Sequence, residues 1–291
     1  MTLNASVERS DSRSSTLARC PCCEATAARV FLVVGKYRML RCAVCDLVYV
    51  YPQPTDDELS AFYESYFEAP SADAVRLAEN REPVLRSCLG RIQGLVSTGS
   101  MVDVGAAHGD YLEMARSAGY GVFGIELASQ PCSDMLTRGI PCYNGSLEDA
   151  PIERSSVDVI TFWDTLEHLP EPLVTLRKAR DILRPGGYAF ATVPNRRFQT
   201  ALVDAERLLG RDGSRRFEVP VHLNHFSARA LRAVLEHAGF EDARVRPGYP
   251  SPVRRRLVHN AKRSLYTLAS AANTLTGVNF GNSLFLSARA T

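Results

Sequence analysis

The stretch MVDVGAAHGDYL, residues 101–112, carries the clearest fold signal in this chain of 291 residues. Apolar residues around Asp103 indicate the end of a buried strand, and the apolar spacing after Gly109 indicates the start of a helix. Glycines at 105 and 109 suit a sharp turn, because a backbone that bends tightly against a ligand leaves no room for a Cβ atom. The helix that follows directs free N–H groups at whatever occupies the turn.

A second predicted strand, VFGIE at residues 122–126, ends on a carboxylate. Glu126 follows Gly105 by 21 residues, a spacing at which an acidic side chain accepts hydrogen bonds from ribose hydroxyls. The pattern therefore predicts a nucleoside site at the ends of these two strands. A dinucleotide site of the form G-x-G-x-x-G would need glycines at positions 107 and 110, which here are Ala107 and Asp110.

The turn resembles the first motif of class I S-adenosyl-L-methionine (SAM) methyltransferases, acidic-x-Gly-x-Gly-x-Gly, with Ala107 at the middle glycine. Later segments follow that family's order: a polar turn at 144–151, a strand and polar end at 157–169, and LRPGG at 183–187 before a strand at 188–195. Strands that alternate with helices indicate a parallel sheet covered on both faces. The resemblance implies an α/β, Rossmann-like, doubly wound fold with a mostly parallel seven-stranded sheet, and a SAM-binding core over 99–250.

The resemblance also implies a role for each residue around the cofactor. Gly105 and Gly109 would shape the turn under the methionine part of SAM, supported by Asp103. The other implied contacts are Ala106 in the turn, Glu126 on the ribose, Leu127, Ser146 and Leu147 around the adenine, and Trp163 and Asp164 near the methionine and the acceptor. Many family members have Asp where this chain has Ser146, and packing at the strand end is the alternative role for Trp163. His108 is placed for contact with SAM.

A second signal lies upstream in two C-x-x-C pairs, Cys20 with Cys23 and Cys42 with Cys45. Four thiolates at this spacing suit a tetrahedral Zn²⁺ ion, and four sulfur ligands leave no open position, so the ion would be structural. Cys22 competes with Cys23, but C-x-x-C places two sulfurs on one ion better than C-x-C does. A pair of disulfides is the alternative, which the lack of an apolar leader before the cysteines disfavours.

The flanking sequence predicts a zinc ribbon over 19–55, with strands at 37–41 and 47–51 around the second cysteine pair. The run RCAVCDLVYVYPQP at 41–54 resembles the ribbon that precedes many bacterial class I methyltransferases, where Asp46 is usually glycine. Connecting helices are expected over 56–98. There Tyr63 and Tyr66 share a helix face, so they either close over the ligands or pack.

Composition and charge describe the ends of the chain. Residues 1–18 are Ser-rich and are predicted to be disordered. No apolar run is long enough to cross a membrane, so a soluble, cytoplasmic protein is expected. The net charge is +2, yet residues 243–291 contain eight Lys or Arg and no Asp or Glu.

This basic tail is predicted to form an amphipathic helix and a final edge strand within 251–291. The basic residues at 254–263 form either a solvated face or a weak contact with an anionic substrate or membrane surface. Binding of nucleic acid is not expected, because no basic sheet studded with aromatic residues accompanies these charges.

Methyl transfer needs little apparatus, because the sulfonium of SAM already activates the methyl group. The protein must align the acceptor and, for a hydroxyl, remove its proton. The candidate bases are His168, His222 and His225, each with a structural role as the alternative. Ser227 is predicted to cap a helix at 228–238, and residues 195–225 are predicted to form an acceptor lid. Glu167-His168 resembles a pair that holds a divalent ion in some quinone-type O-methyltransferases.

The sequence therefore predicts SAM-dependent methylation of a small-molecule acceptor, at a hydroxyl of a sugar, a glycan or a natural product. Transfer to carbon or nitrogen uses the same SAM site and is the alternative. Two other classes compete. A nucleotide-dependent oxidoreductase is disfavoured by the missing glycines at 107 and 110. The other is a zinc-ribbon binding module that has lost catalysis.

Overall fold

The computed structural model describes residues 19–68, 81–249, 264, 266–271, 273, 279 and 281–291. The predicted disorder at 1–18 and the basic residues at 254–263 lie outside this range. Of the predicted amphipathic helix, residues 264, 266–271 and 273 are described, and they are helical. No helix within the described ranges has the length and apolarity needed to cross a membrane.

The described elements follow one another along the chain as strands and helices. They are β1 Ala28–Val34, β2 Tyr37–Cys42, β3 Val48–Tyr51, α1 Asp56–Glu68, α2 Glu82–Gln93, β4 Gly99–Val104, α3 Asp110–Ser117, β5 Tyr120–Glu126, α4 Ser129–Thr137, β6 Cys142–Asn144, β7 Val157–Trp163, α5 Pro172–Ile182, β8 Leu183–Pro194, α6 Arg196–Leu208, a 3₁₀ turn Ser214–Phe217, β9 Asn224–His225, α7 Ala228–His237, β10 Phe240–Pro247 and β11 Ser283–Ala290.

The main sheet has seven strands in the order β10-β11-β8-β7-β4-β5-β6. The five strands from β8 to β6 are parallel, whereas β11 runs antiparallel to both of its neighbours. The predicted Rossmann-like sheet is confirmed. The predicted edge position of the last strand is wrong, because β11 lies between β8 and β10, and β10 forms the edge. The apolar run Leu284-Phe285-Leu286 of β11 is typical of an inner strand, which is covered on both faces.

Helices cover both faces of this sheet and build two apolar layers. On one face α5 and α7 pack through residues such as Leu176 and Leu231, and the ribbon joins this layer through Tyr49. On the other face α2 and α3 pack through residues such as Ile92 and Tyr111. Each fully buried side chain of this size contributes about 1.5–3 kcal/mol, so the layers hold the strand ends of the site in place.

The ribbon forms a second, four-stranded sheet in the order β1-β2-β3-β9. Strands β2 and β3 match the predicted pair, and β1 adds a strand that the sequence analysis did not predict. The fourth strand comes from the core: Val48 pairs with His225 and Tyr49 with Asn224, and the N–H of Val50 donates to the carbonyl of Leu223 at 2.9 Å. The ribbon is thereby joined by backbone hydrogen bonds to the segment that carries two of the candidate histidines, His222 and His225.

Candidate active site

The turn between β4 and α3 is closed by two glycines with left-handed backbone. Gly105 has φ +73°, and a Cβ there would lie 2.7 Å from Oγ1 of Thr165. Gly109 has φ +77°, and a Cβ there would lie 2.6 Å from Cγ of Met135. Both positions therefore require glycine for conformation and for space. Beneath the turn, burial raises the pKa of Asp103 to about 7, although the Thr161 hydroxyl donates to this carboxyl at 2.6 Å.

Glu126 at the end of β5 is held in place by the same turn. The N–H of Ala107 donates to Oε2 at 2.8 Å, and the N–H of Ala128 donates to Oε1 at 3.0 Å. Ala107 adopts φ +48°, a left-handed conformation that costs a non-glycine residue roughly 1–2 kcal/mol. In this conformation the N–H of Ala107 points at Glu126. Burial raises the pKa of Glu126, and both oxygens keep lone pairs for the hydroxyls of a ribose.

The predicted adenine side contains three of the candidate residues and one that was missed. Leu127 is 48% exposed at the mouth of the turn. The Ser146 hydroxyl donates to Oδ2 of Asp149 at 2.8 Å, so an acidic group lies next to the serine that replaces the family's usual Asp. Leu147 points instead into the apolar core. Asp149 was missed because it lies three residues past the expected position.

Asp164, which directly follows β7, is held by side chains from two other parts of the chain. Its Oδ2 accepts a hydrogen bond from Arg81 at 2.9 Å, and its Oδ1 accepts one from the Thr192 hydroxyl at 2.8 Å. Arg81 also donates to the carbonyl of Trp163 at 2.9 Å. The Trp163 side chain is buried against Tyr111, with ring centroids 5.1 Å apart, which favours packing as its role. Arg81 and Thr192 were missed because only the fold brings them to this strand end.

A cluster of buried titratable groups follows Asp164. The rings of His168 and His222 lie 4.8 Å apart, and Tyr63 of α1 lies 6.4 Å from His168. Nδ1 of His168 donates to the carbonyl of Val221 at 3.0 Å. This bond fixes the tautomer of His168 and leaves Nε2 as the acceptor nitrogen. Val221, in the predicted lid region, thus contacts His168, and the rings of His168 and His222 belong to one cluster.

Burial sets the protonation of this cluster. It lowers the pKa of both His168 and His222 to about 4, and for His168 the neighbouring His222 adds to the effect. The negative charge of Asp164 opposes both shifts. Both imidazoles are therefore neutral at physiological pH and free to accept a proton. His225 differs, because it lies in β9 against Phe217, with ring centroids 5.3 Å apart, and burial lowers its pKa to about 3.

Glu167 places a buried carboxyl group next to the two histidines. Its side chain is only 1% exposed, and neither carboxyl oxygen has a hydrogen-bond partner among the described residues. Burial raises its pKa well above the usual value, and the nearby Asp164 adds to the shift. One carboxylate oxygen of Glu167 and one ring nitrogen each of His168 and His222 lie within 4.8 Å of one another. Such a set of oxygen and nitrogen donors could hold a divalent cation.

The four predicted zinc ligands also lie together. Sulfurs of Cys20, Cys23, Cys42 and Cys45 are all within 4.8 Å of one another, with Cys20–Cys45 at 3.5 Å and Cys23–Cys42 at 3.6 Å. A disulfide needs about 2.05 Å, so these distances do not fit the disulfide alternative. Four sulfurs at about 2.3 Å from one Zn²⁺ ion would lie roughly 3.8 Å apart, which matches. Cys22 stays outside the group.

Asp46, in the second knuckle, ties the ribbon to the core. It has φ +72°, the conformation expected where glycine is usual. Its Oδ2 accepts hydrogen bonds from Arg196 at 2.5 Å and from the Ser227 hydroxyl at 2.8 Å, and its Oδ1 accepts one from Arg41 at 2.7 Å. Ser227 also accepts from the N–H of Ala230 at 3.2 Å, which confirms it as the cap of α7. One carboxylate therefore joins the ribbon to the N-termini of α6 and α7.

Comparison with known families agrees with this geometry. Residues 77–245, more than half of the chain, match a family described as methyltransferase domain. The fold also resembles that of a SAM-dependent methyltransferase from Thermotoga maritima, with a TM-score of 0.53 and 18% identity over 80% of this chain and 100% of that one. A SAM-dependent methyltransferase from Mesorhizobium loti gives a TM-score of 0.51 and 18% identity over 72% of this chain and 97% of that one.

Similar sequences carry more specific names. The ubiquinone biosynthesis O-methyltransferase of Vibrio vulnificus strain YJ016 is 30% identical over 131 residues, which are 42% of this chain and 55% of that enzyme. The enzyme of the same name from Bordetella bronchiseptica is 31% identical over 177 residues, 55% of this chain and 72% of that enzyme. The chain therefore spans about half the length of the Vibrio relative that it matches.

Proposed function

Because this chain belongs to the family of methyltransferase domains, we propose that it is a SAM-dependent enzyme that methylates a hydroxyl oxygen of a small molecule. The observation that carries the choice of oxygen is the pair His168 and His222, two neutral imidazoles beside Asp164 at the ends of the parallel strands. A hydroxyl acceptor must lose its proton, and these groups can take it. The relatives named O-methyltransferases support the same choice.

The cofactor side would be held by the turn and by Glu126. Backbone N–H groups and the two glycines would surround the methionine part of SAM, Glu126 would accept from the ribose hydroxyls, and Leu127 with the Ser146–Asp149 pair would meet the adenine. The Arg81–Asp164 ion pair would lie where the methionine part ends. This arrangement would leave the methyl group facing the histidine cluster.

On the acceptor side, His168 is the proposed base. Its Nδ1–H is fixed on the carbonyl of Val221, so Nε2 is directed to accept the hydroxyl proton as the methyl group moves. The imidazolium that forms would be stabilised by the carboxylate of Asp164, while His222 packs edge-on against the ring. A base with a pKa of about 4 is weak, so it suits an acidic hydroxyl, such as a phenol near pKa 10, better than a sugar alcohol. The proposed acceptor is therefore a natural product with an acidic hydroxyl.

The group Glu167, His168 and His222 supports a second mode for the same reaction. The partnerless carboxyl of Glu167 fits a divalent cation, which would let it ionise despite burial. When bound, such an ion would lower the pKa of an acceptor hydroxyl. In the ribbon, we propose a structural Zn²⁺ ion on Cys20, Cys23, Cys42 and Cys45, supported by the match of the sulfur spacing to a tetrahedral site.

The test has two stages, which separate the cofactor from the acceptor. Titration with S-adenosylhomocysteine should show micromolar binding that His168→Ala and His222→Ala leave unchanged. Labelled-methyl transfer to phenolic, sugar and amine acceptors should then favour phenols. His168→Ala should reduce turnover at least 100-fold, whereas His237→Ala, on the exposed end of α7, should not. Equal turnover in the two variants would refute the base, and transfer only to amines would refute the oxygen acceptor.

The metal mode is tested separately. Protein stripped of loosely bound divalent ions, with ribbon zinc retained, is titrated with Mg²⁺ or Mn²⁺ during turnover. If the ion binds at the cluster, Glu167→Gln should abolish any stimulation while leaving the affinity for S-adenosylhomocysteine intact. Stimulation that survives in this variant would place the ion elsewhere.

A further inference from the structure

A basic cavity lies along β10, the exposed edge of the seven-stranded sheet, away from the histidine cluster. It has a volume of about 600 Å³, and its charged lining consists of Arg91 from α2, Arg232 from α7, and Arg244 and Arg246 from β10. Tyr266 and Asn273 add a hydroxyl and an amide on the helical segment that faces the strand. A cavity of this size falls in the range of small-molecule sites, about 300–1,000 Å³.

The four guanidinium groups have no described counter-charge. No Asp or Glu lines the cavity, and none of the four arginines takes part in an ion pair with another described residue. By contrast, Arg41, Arg81 and Arg196 are each matched with a carboxylate. Positive charges gathered around one cavity repel one another, and the repulsion is stronger where water is scarce. An anion in the cavity would remove this repulsion.

Arg91 is held in place before any ligand arrives. Its guanidinium lies 4.5 Å from the ring centroid of Phe285, and its Nη2 donates to the Tyr266 hydroxyl at 2.5 Å. A guanidinium fixed by stacking and by one hydrogen bond loses less entropy when it binds an oxyanion. The ring of Phe285 stacks in turn on Trp163, with centroids 6.3 Å apart. The cavity therefore lies behind the aromatic layer that backs the active site, and is distinct from it.

We propose that this cavity binds a soluble molecule that carries two linked phosphates. Guanidinium groups match phosphate oxygens in geometry and charge, and four of them more than offset the negative charge of a diphosphate. A compact ligand can bring both phosphates to the guanidinium groups around one depression, whereas a bilayer meets a protein through a broad basic face with apolar side chains inserted beside it. The site is independent of the proposed acceptor and of the metal cluster.

Pyrophosphate is the probe. It is titrated calorimetrically into the 291-residue chain, purified with zinc, while S-adenosylhomocysteine saturates the cofactor site. Arg244→Gln/Arg246→Gln is the test variant, because both side chains are exposed and their loss leaves the core intact. Arg29→Gln/Arg38→Gln is the matched control, with two exposed arginines removed from the ribbon. The cavity variant should bind pyrophosphate at least tenfold more weakly at about 0.15 M ionic strength, and the control should bind as the parent does.

Three results would overturn the proposal. One is a parent protein that shows no pyrophosphate binding at millimolar concentration. Another is an equal loss of affinity in both double variants, which would indicate a general charge effect. The third result comes from a binding experiment with vesicles of mixed neutral and anionic lipid. Vesicle binding that depends on Arg244 and Arg246, without any pyrophosphate binding, would replace the soluble ligand with a membrane surface. A variant Arg91→Lys, which keeps the charge but loses the planar fork, should show an intermediate affinity.

Discussion

Replacing Asp46 with Asn should weaken the interaction between the ribbon and the core and lower the free energy of unfolding. The change removes one charge and keeps the shape, and Asn tolerates the left-handed backbone at φ +72° at least as well as Asp does. Asp46 is 6% exposed and its partner Arg196 is 3% exposed, so solvent screens their attraction very little. The variant therefore leaves a buried guanidinium without its carboxylate.

The size of the effect follows from this burial. Breaking a buried ion pair by removing one partner costs about 3–5 kcal/mol, against about 1 kcal/mol for a neutral hydrogen bond. Burial opposes ionisation of Asp46, yet Arg196, Ser227 and Arg41 together hold the pKa of this carboxyl below its usual value. The favourable contacts thus outweigh desolvation. We expect Asp46→Asn to lower the free energy of unfolding by about 3 kcal/mol, at the lower end of that range because the amide still accepts a hydrogen bond.

Urea unfolding at neutral pH with zinc present measures this loss. The single tryptophan of the chain, Trp163, reports the core, and zinc release to a chromophoric chelator reports the ribbon. Asp242→Asn is the matched control, since Asp242 also has positive φ, at 50°, but is exposed. It should change stability by less than about 0.5 kcal/mol.

A double-mutant cycle completes the test. In Asp46→Asn the buried guanidinium of Arg196 is left without a carboxylate, and Arg196→Met removes that charge. The double variant should therefore be more stable than the sum of the two single losses predicts. A loss below about 1 kcal/mol in Asp46→Asn, or strict additivity in the cycle, would refute the reasoning that this ion pair joins the ribbon to the core.

Three further predictions concern the cofactor and the ribbon. Gly105→Ala places a Cβ 2.7 Å from Thr165, so affinity for S-adenosylhomocysteine should fall at least tenfold in calorimetry, and an unchanged affinity would contradict the assigned turn. The pKa of Glu126 is raised, so its carboxylate protonates at a higher pH than that of a free Glu. The affinity for S-adenosylhomocysteine should therefore decline on acidification, and Glu126→Gln should flatten that decline. A parallel decline in the variant would point to another group. Cys42→Ser should reduce bound zinc well below one ion per chain by metal analysis, and a full equivalent would disprove the four-sulfur site.

The parts of the molecule that sequence reasoning predicts best depend on local patterns. The turn around Gly105, the carboxylate that ends β5 and the cysteine spacing each encode their geometry within a few residues. The order of inner strands is less accessible, and the last strand was misplaced at the edge because its pairing with β8 and β10 is a long-range choice. Arg81 was missed for the same reason: only the packing of α2 brings it to Asp164.

The sequence identifies the candidate histidines but does not indicate which of them lie together in the fold. His168 and His222 are 54 residues apart, and nothing in their spacing indicates that their rings lie 4.8 Å from each other. His225 looks equivalent to His222 in sequence, yet the pairing of β9 with the ribbon turns it into a packed strand residue. Pairing between strands from distant segments therefore decides that His222, and not His225, packs against His168.

This pairing connects the ribbon to the backbone around the histidine cluster. Strand β3 holds β9, and the N–H groups of Leu223 and Asn224 both donate to the carbonyl of Glu167, at 2.8 and 2.9 Å. Displacement of β3 would move the backbone of Glu167 and, through Val221, the hydrogen bond that sets the tautomer of His168. The turn at Gly105 and the proposed ribose contact of Glu126 share none of these bonds, so damage to the ribbon should impair turnover before it weakens cofactor binding.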